Sequence, residues 1–277
     1  MHRNNLIKQI KEKSSYLCVG LDTDITKIPK HLQQNKNAIV DFNKAIIDAT
    51  KDYCVSYKIN TAFYEANGSK GWDAMEETVN YIPNTHFKIA DAKRGDIGNT
   101  SSQYAKAFFE TLQFDAITVA PYMGEDSIRP FLEYENKWTI VLGLTSNQGA
   151  KDFEMKKFSA ANANKIEAAS PLHLYEMVLQ TASKWGTKEN LMFVVGATQA
   201  TELNNIRKYI PDNFLLVPGV GFQGGSLSET SKYGLNKDCG LLVNASRAII
   251  YAGSGENFAE EAKAIAEQYQ AEMKGYL

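Results

Sequence analysis

Apolar residues along the chain follow two alternating patterns. Eight short segments, at 16–21, 55–60, 86–90, 116–120, 139–144, 191–196, 214–217 and 240–244, are dense in β-branched and other apolar residues and have strand length. Most stretches between them repeat apolar positions every three or four residues, as in Ile39, Phe42, Ile46 and Ala49, or Tyr104, Phe108 and Leu112. That spacing lines one face of a helix. Strands alternating with helices imply a parallel sheet, and eight such units predict closure into an α/β fold, a (β/α)8 TIM barrel, with residues 1–277 as a single domain. An open doubly wound sheet is the alternative, but no Gly-x-Gly-x-x-Gly follows the first strand. The ends of the chain predict two further helices. One is short and buries Leu6 and Ile10; the other covers 259–274, with Gly275 suited to its stop.

Polar residues gather where a barrel carries its active site, at the C-terminal ends of the predicted strands. The first strand ends in Asp22, the second carries Lys58 and Asn60 on one face, and the fifth ends in Thr145, Ser146 and Asn147. The third runs into Asp91, Lys93 and Asp96. Alternation along a strand puts Asp91 and Lys93 on one face. Asp96 lies beyond the strand, where Gly95 and Gly98 let the backbone bend and Asn99 or Thr100 can cap a helix. An ammonium between carboxylates stays protonated, so the set suits a site that stabilises a carbanion and then protonates it. Charges inside an apolar barrel need partners, so Lys58 and Lys93 require Asp22 and Asp91 nearby. A surface salt bridge is the simpler reading of Asp-x-Lys, but the apolar strand before it and the glycines after it favour a site.

The seventh and eighth strand ends read as a phosphate site. Loops after these strands often hold phosphate in barrels. Pro218 opens a glycine-rich stretch, 218–225, whose amides can form an anion nest, and Gln223 adds a neutral donor. Ser246 and Arg247 end the eighth strand, and Arg247 offers a planar fork to phosphate oxygens. The connection 146–170 is long and polar and reads as a lid, after which Ser170 and Pro171 start a helix.

Composition narrows the chemistry. A formal charge of −2 argues against nucleic acid as the main partner. His2, His31, His86 and His173 have no metal-ligand spacing, so no metal site is expected. Cys18, Cys54 and Cys239 read as buried free thiols of a reducing compartment. There is no signal-peptide core and no apolar run near the ~20 residues of a membrane span, so a cytoplasmic protein is expected. Trp72, Trp138 and Trp185 read as packing residues.

With Asp22, Lys58, the Asp91-x-Lys93-x-x-Asp96 motif, Pro218-Gly-Val-Gly-x-Gln-Gly-Gly and Ser246-Arg247 in barrel order, the chain resembles orotidine 5′-monophosphate decarboxylases, most closely the longer bacterial subgroup. The resemblance covers about residues 16 to 254. It implies conversion of orotidine 5′-monophosphate to uridine 5′-monophosphate and CO2, the last step of de novo pyrimidine biosynthesis, without metal or organic cofactor. It implies that Lys93 stabilises and protonates the C6 carbanion beside Asp91. Asp22 and Lys58 would hold ribose hydroxyls, Ser146 the pyrimidine, and Gln223 and Arg247 the phosphate, with Pro218 and Ser246 lining the same site. It also implies a homodimer with shared sites, in which Asp96, Ile97 and Thr100 reach into the neighbouring subunit. Phe222 and Ala248 stand where smaller residues are common in the family; neither replaces a reacting group. Two other readings remain at this point: a sugar-phosphate lyase using a metal or a Schiff-base lysine, and a nucleotide-binding protein without turnover.

Overall fold

In the computed structural model, which describes residues 1–158, 171–221 and 224–277, eight parallel strands close into a barrel. They are β1 (Leu17–Gly20), β2 (Ser56–Asn60), β3 (Phe87–Arg94), β4 (Ala116–Val119), β5 (Trp138–Leu144), β6 (Leu191–Val195), β7 (Leu215–Pro218) and β8 (Leu241–Ala245). Each neighbours the next in chain order, and β1 pairs with β8 to complete the ring. Their near-continuous apolar runs follow from burial on both faces, against helices outside and side chains inside. All eight predicted strands fall on these, but β3 continues four residues past its predicted end, to Arg94.

The outer helices bury the expected stripes with shifted edges. The helix Ala38–Thr50 buries Phe42, Ile46 and Ile47, while Ile39 and Ala49 are only half-buried at the margins. The segment carrying Tyr104, Phe108 and Leu112 is α-helical over Gly98–Lys106 and widens into a π-helical turn over Ala107–Thr111. The final helix spans Phe258–Lys274. Trp138 is fully buried, whereas Trp72 is 36% exposed and leans on Phe108 at the surface.

The loop after β5 is more regular than expected. A 3-10 turn at Gln148–Asp152 leads to a two-residue strand, Lys157–Phe158, which pairs antiparallel with Leu172–His173. The next helix therefore begins at Leu174, not at Pro171, because Leu172 and His173 are held in that ribbon. Glu176 accepts the His173 N–H at 2.7 Å and closes the helix start. Ser170 and the rest of 159–170, nearly half of the predicted lid, lie outside the described residues.

The N-terminal helix, Arg3–Lys13, buries Leu6 and Ile10 as expected, and also Arg3. Arg3 donates to the Lys188 and Asp212 carbonyls at 2.8 Å each, pairs with Asp238 at 3.1 Å, and lies over the Phe214 ring. These partners precede β6, β7 and β8, so one guanidinium ties together the barrel mouth opposite the strand C-termini. Arg3→Ala removes a buried guanidinium from two part-buried carbonyls and Asp238 and should lower stability by about 2–4 kcal/mol. Urea unfolding measures this; a loss of only a few tenths of a kcal/mol would show that the tie is dispensable.

Candidate active site

A cavity of about 290 Å3 opens at the C-terminal strand ends. Its apolar walls come from Leu142, Val194 and Leu216, and its polar side from Asp22, Lys58, Asp91 and Lys93. A larger groove of about 500 Å3 runs beside the helices Ala38–Thr50 and Gly68–Tyr81. Its charged residues Lys36, Lys70, Asp73 and Glu77 are exposed, so water screens them. The smaller cavity holds the buried charges.

Lys58 is the centre of those charges. It is 3% exposed, and its Nζ lies 2.9 Å from Asp91 Oδ2 and 3.3 Å from Asp22 Oδ1. Parallel register makes this possible, because Gly20 of β1 sits opposite Lys58 and Asn60 opposite Asp91. Burial alone would push the Lys58 ammonium toward neutrality; Asp22 and Asp91 together outweigh it, and the net shift is upward. Burial would likewise push Asp91 up, but Lys58 and Lys93 hold it well below the usual carboxylate range. Lys93 Nζ reaches Asp91 Oδ1 at 2.6 Å, and the Ser246 hydroxyl donates to Asp22 Oδ2 at 2.9 Å. Charge thus alternates along Lys93, Asp91, Lys58 and Asp22, with the Lys93 side chain half exposed at the cavity end.

Asp91 and Lys93 meet, but not across a regular strand. Between Ala90 and Arg94, β3 advances four residues while β4 advances two, from Ile117 to Val119. Lys93 absorbs the excess with a left-handed φ of 48°. Its N–H donates to Thr118 Oγ1 at 2.9 Å, and the Thr118 hydroxyl donates to Asp91 Oδ1 at 3.0 Å. Sequence reasoning passed over Thr118; the available signal is a lone hydroxyl in an otherwise apolar strand. It also passed over Asn244, which lines the cavity and donates to the Cys18 carbonyl at 3.1 Å.

Asn60, Thr145, Ser146, Asn147, Pro218, Ser246 and Arg247 also line the cavity, as their strand-end positions predicted. Glu154 holds the base of the β5 loop, accepting the Thr145 N–H at 2.7 Å and its hydroxyl at 2.9 Å. Gln223 and Phe222 lie outside the described residues. The anion nest expected from 218–225 is not formed by Gly221, Gly224 and Gly225. Their N–H groups donate to carbonyls of Gly225, Gly221 and Gly219 within the turn. Positive φ at Gly219, Gly221 and Gly224 makes so tight a turn possible.

Asp96, Ile97 and Thr100 do not join the cavity of their own chain. Asp96 accepts the Ile97 N–H at 2.8 Å, and Ile97 is 61% exposed. The helix after this turn is capped at Ile97, one residue before Gly98, and not at Asn99 or Thr100. Those two residues already have helical neighbours on both sides. The Ser101 hydroxyl, near the carbonyls of Asp96 (2.6 Å) and Ser127 (2.9 Å), anchors the turn from behind.

All three cysteines are buried free thiols, and burial raises the pKa of each, to about 12 for Cys18. Among the described residues, no three His, Cys, Asp or Glu side chains are grouped to hold a metal. Among the same residues, no helix is long and apolar enough to cross a membrane.

The model of the Orotidine 5′-phosphate decarboxylase / HUMPS family matches residues 15–265. An orotidine 5′-phosphate decarboxylase of Flavobacterium johnsoniae is 57% identical over 276 residues, which is 99% of this chain and 97% of the relative. Among solved structures, an OMP decarboxylase of Leishmania donovani superposes with a TM-score of 0.79 at 34% identity, covering 98% of this chain and 99% of that one. A UMP synthase of Leishmania donovani also gives a TM-score of 0.79, at 35% identity, covering 95% of this chain but 56% of that longer one.

Lys58→Met strands Asp22 and Asp91 without their shared cation and should destabilise the fold by about 3–5 kcal/mol at neutral pH. Because the folded pKa of Asp91 is depressed, its stabilisation is complete above the unfolded carboxylate range and fades as acid protonates it. The gap between wild type and variant should therefore narrow below about pH 4. Urea unfolding at stepped pH checks this; a constant gap would remove Asp91 as the coupled group.

Proposed function

The chain belongs to the Orotidine 5′-phosphate decarboxylase / HUMPS family, and from that we propose that it converts orotidine 5′-monophosphate to uridine 5′-monophosphate and CO2, closing de novo pyrimidine biosynthesis. The observation that carries this is the alternating chain of Lys93, Asp91, Lys58 and Asp22 lining one cavity at the strand C-termini. The bond from C6 to the carboxylate breaks, its electron pair stays on C6, and CO2 leaves past Asp91. The Lys93 ammonium stabilises that pair and then donates a proton to C6, and solvent reprotonates the amine. A preoriented cation in a water-poor cavity stabilises developing charge without reorganising, so the step requires neither metal nor organic cofactor.

Substrate contacts follow the cavity lining. Asp22 and Lys58 hold ribose hydroxyls, with Ser246 orienting Asp22. Ser146 meets the pyrimidine, Pro218 lines the wall, and Arg247 with Gln223 grips the phosphate. Phosphate binding far from C6 can raise the rate as well as the affinity, because its energy holds the reacting end in place. Asp96, Ile97 and Thr100 complete the site of a second subunit in a homodimer, which accounts for the exposure of Ile97 and Thr100 beside a cavity that none of the three lines. Residues 1–277 act as one catalytic barrel. The small-molecule substrate and the three buried thiols fit a cytoplasmic enzyme.

Loss of orotate absorbance on adding the protein tests the activity, and the rate should be unchanged after chelator treatment. Lys93→Ala should stay folded by circular dichroism and lose far more than tenfold in rate. A folded variant within about tenfold of wild type, ~1.4 kcal/mol of barrier, contradicts the role of Lys93.

Mixing Lys93→Ala with Asp96→Ala tests the shared site. In a mixed dimer one site carries both lesions and the other is wholly native. Random reassortment makes about a quarter of all sites active, the count that follows from a two-fold interface. No recovery despite demonstrated subunit exchange would rule out sharing.

A further inference from the structure

Lys93 holds a backbone conformation that residues with a Cβ avoid, so neighbouring contacts must stabilise it. One side chain touches both the strained backbone and the carboxylate beside it. Thr118 is fully buried on β4 and lies outside the cavity lining. Its oxygen accepts the Lys93 N–H at 2.9 Å, and its proton goes to Asp91 Oδ1 at 3.0 Å. That Asp91 oxygen is also the one that receives Lys93 Nζ, at 2.6 Å. Thr118 therefore closes a ring: Lys93 backbone, Thr118 hydroxyl, Asp91 carboxylate, Lys93 ammonium.

We propose that Thr118 is a positioning residue for the reaction, whose hydroxyl locks the bulge of β3 and so holds the Lys93 ammonium and the Asp91 carboxylate in register with C6. The proposal rests on the roles given above to Lys93 and Asp91. Without the hydroxyl, the Lys93 N–H loses its acceptor, and a direct restraint on the left-handed φ is removed although the strand pairing on either side remains. The ammonium then swings with the backbone, while Asp22, Ser146 and Arg247 keep their own supports. The consequence falls on proton delivery and not on substrate binding.

The test compares Thr118→Val, Thr118→Ala and Thr118→Ser, with Lys93→Ala alongside. Thr118→Val keeps the shape and removes the hydroxyl. It should lower kcat by about tenfold to a hundredfold, the scale of an ångström-level misplacement of a reacting group. Affinity for uridine 5′-monophosphate should stay within about twofold, since the loss is confined to the transition state. Exchange of the C6 proton of uridine 5′-monophosphate with deuterium, the reverse of the protonation step, should fall in parallel with kcat. Thr118→Ser restores the hydroxyl and should recover kcat to within about threefold. If Thr118→Val does not fold, Thr118→Ala supplies the same comparison. Full kcat in either, or a loss that Ser does not rescue and product affinity shares, overturns the proposal. An inactive Lys93→Ala beside a fully active Thr118→Val overturns the positioning role alone. An active Lys93→Ala overturns the role of Lys93, and the proposal falls with it.

Discussion

An ammonium cannot sit inside an apolar barrel without anions, and much of this molecule follows from that constraint at Lys58. With 3% of its surface exposed, Lys58 depends on Asp22 from one neighbouring strand end and Asp91 from the other. Both contacts require β1, β2 and β3 to lie side by side in their observed register, with Gly20 opposite Lys58 and Asn60 opposite Asp91. A slip of one residue would turn Lys58 to the other face of the sheet and leave the two carboxylates facing each other. The register of these three strands and the assembly of the charged set are therefore one condition. Buried ion pairs seldom stabilise a fold more than well-packed apolar residues would. Their presence here makes sense as chemistry.

The same pairing orders the reacting end. Asp91 divides its two oxygens, one toward the buried Lys58 and one toward the half-exposed Lys93. Lys58 is enclosed, whereas Lys93 is half exposed at the cavity. The bulge of β3 is what brings Lys93 back over Asp91 after the strand has begun to leave the barrel. Beyond it, the chain turns outward through Asp96 and Ile97, away from its own cavity. One strand thus carries residues for two directions, inward before the bulge and outward after it.

At the opposite side of the cavity, the glycine loop after β7 is organised by its own hydrogen bonds. Gly221, Gly224 and Gly225 direct their N–H groups to carbonyls inside the turn. Those three amides are therefore turned away from the cavity, and the proposed phosphate contact rests on side chains such as Arg247. Arg247 starts a short helix directly after β8 and borders the cavity mouth.

Strand and helix periods, the (β/α)8 order and the strand-end positions of Asp22, Lys58, Asp91, Lys93, Ser146, Pro218, Ser246 and Arg247 were legible in the sequence. These depend on local periodicity and on the rule that barrel chemistry gathers at one end of the strands. Other features were decided only by tertiary structure. The left-handed Lys93 arises from a mismatch in length between β3 and β4, which neither strand shows alone. Thr118 and Asn244 look like ordinary strand residues until their neighbours across the sheet are known. The helix expected at Pro171 begins at Leu174, because Leu172 and His173 pair as a strand with Phe158 and Lys157. The glycines of 218–225 were read as an anion nest, but the N–H groups of Gly221, Gly224 and Gly225 turn inward to carbonyls of the loop. Composition and period determine which segments are buried; the pairing of distant backbone and side-chain polar groups is settled only when those segments meet.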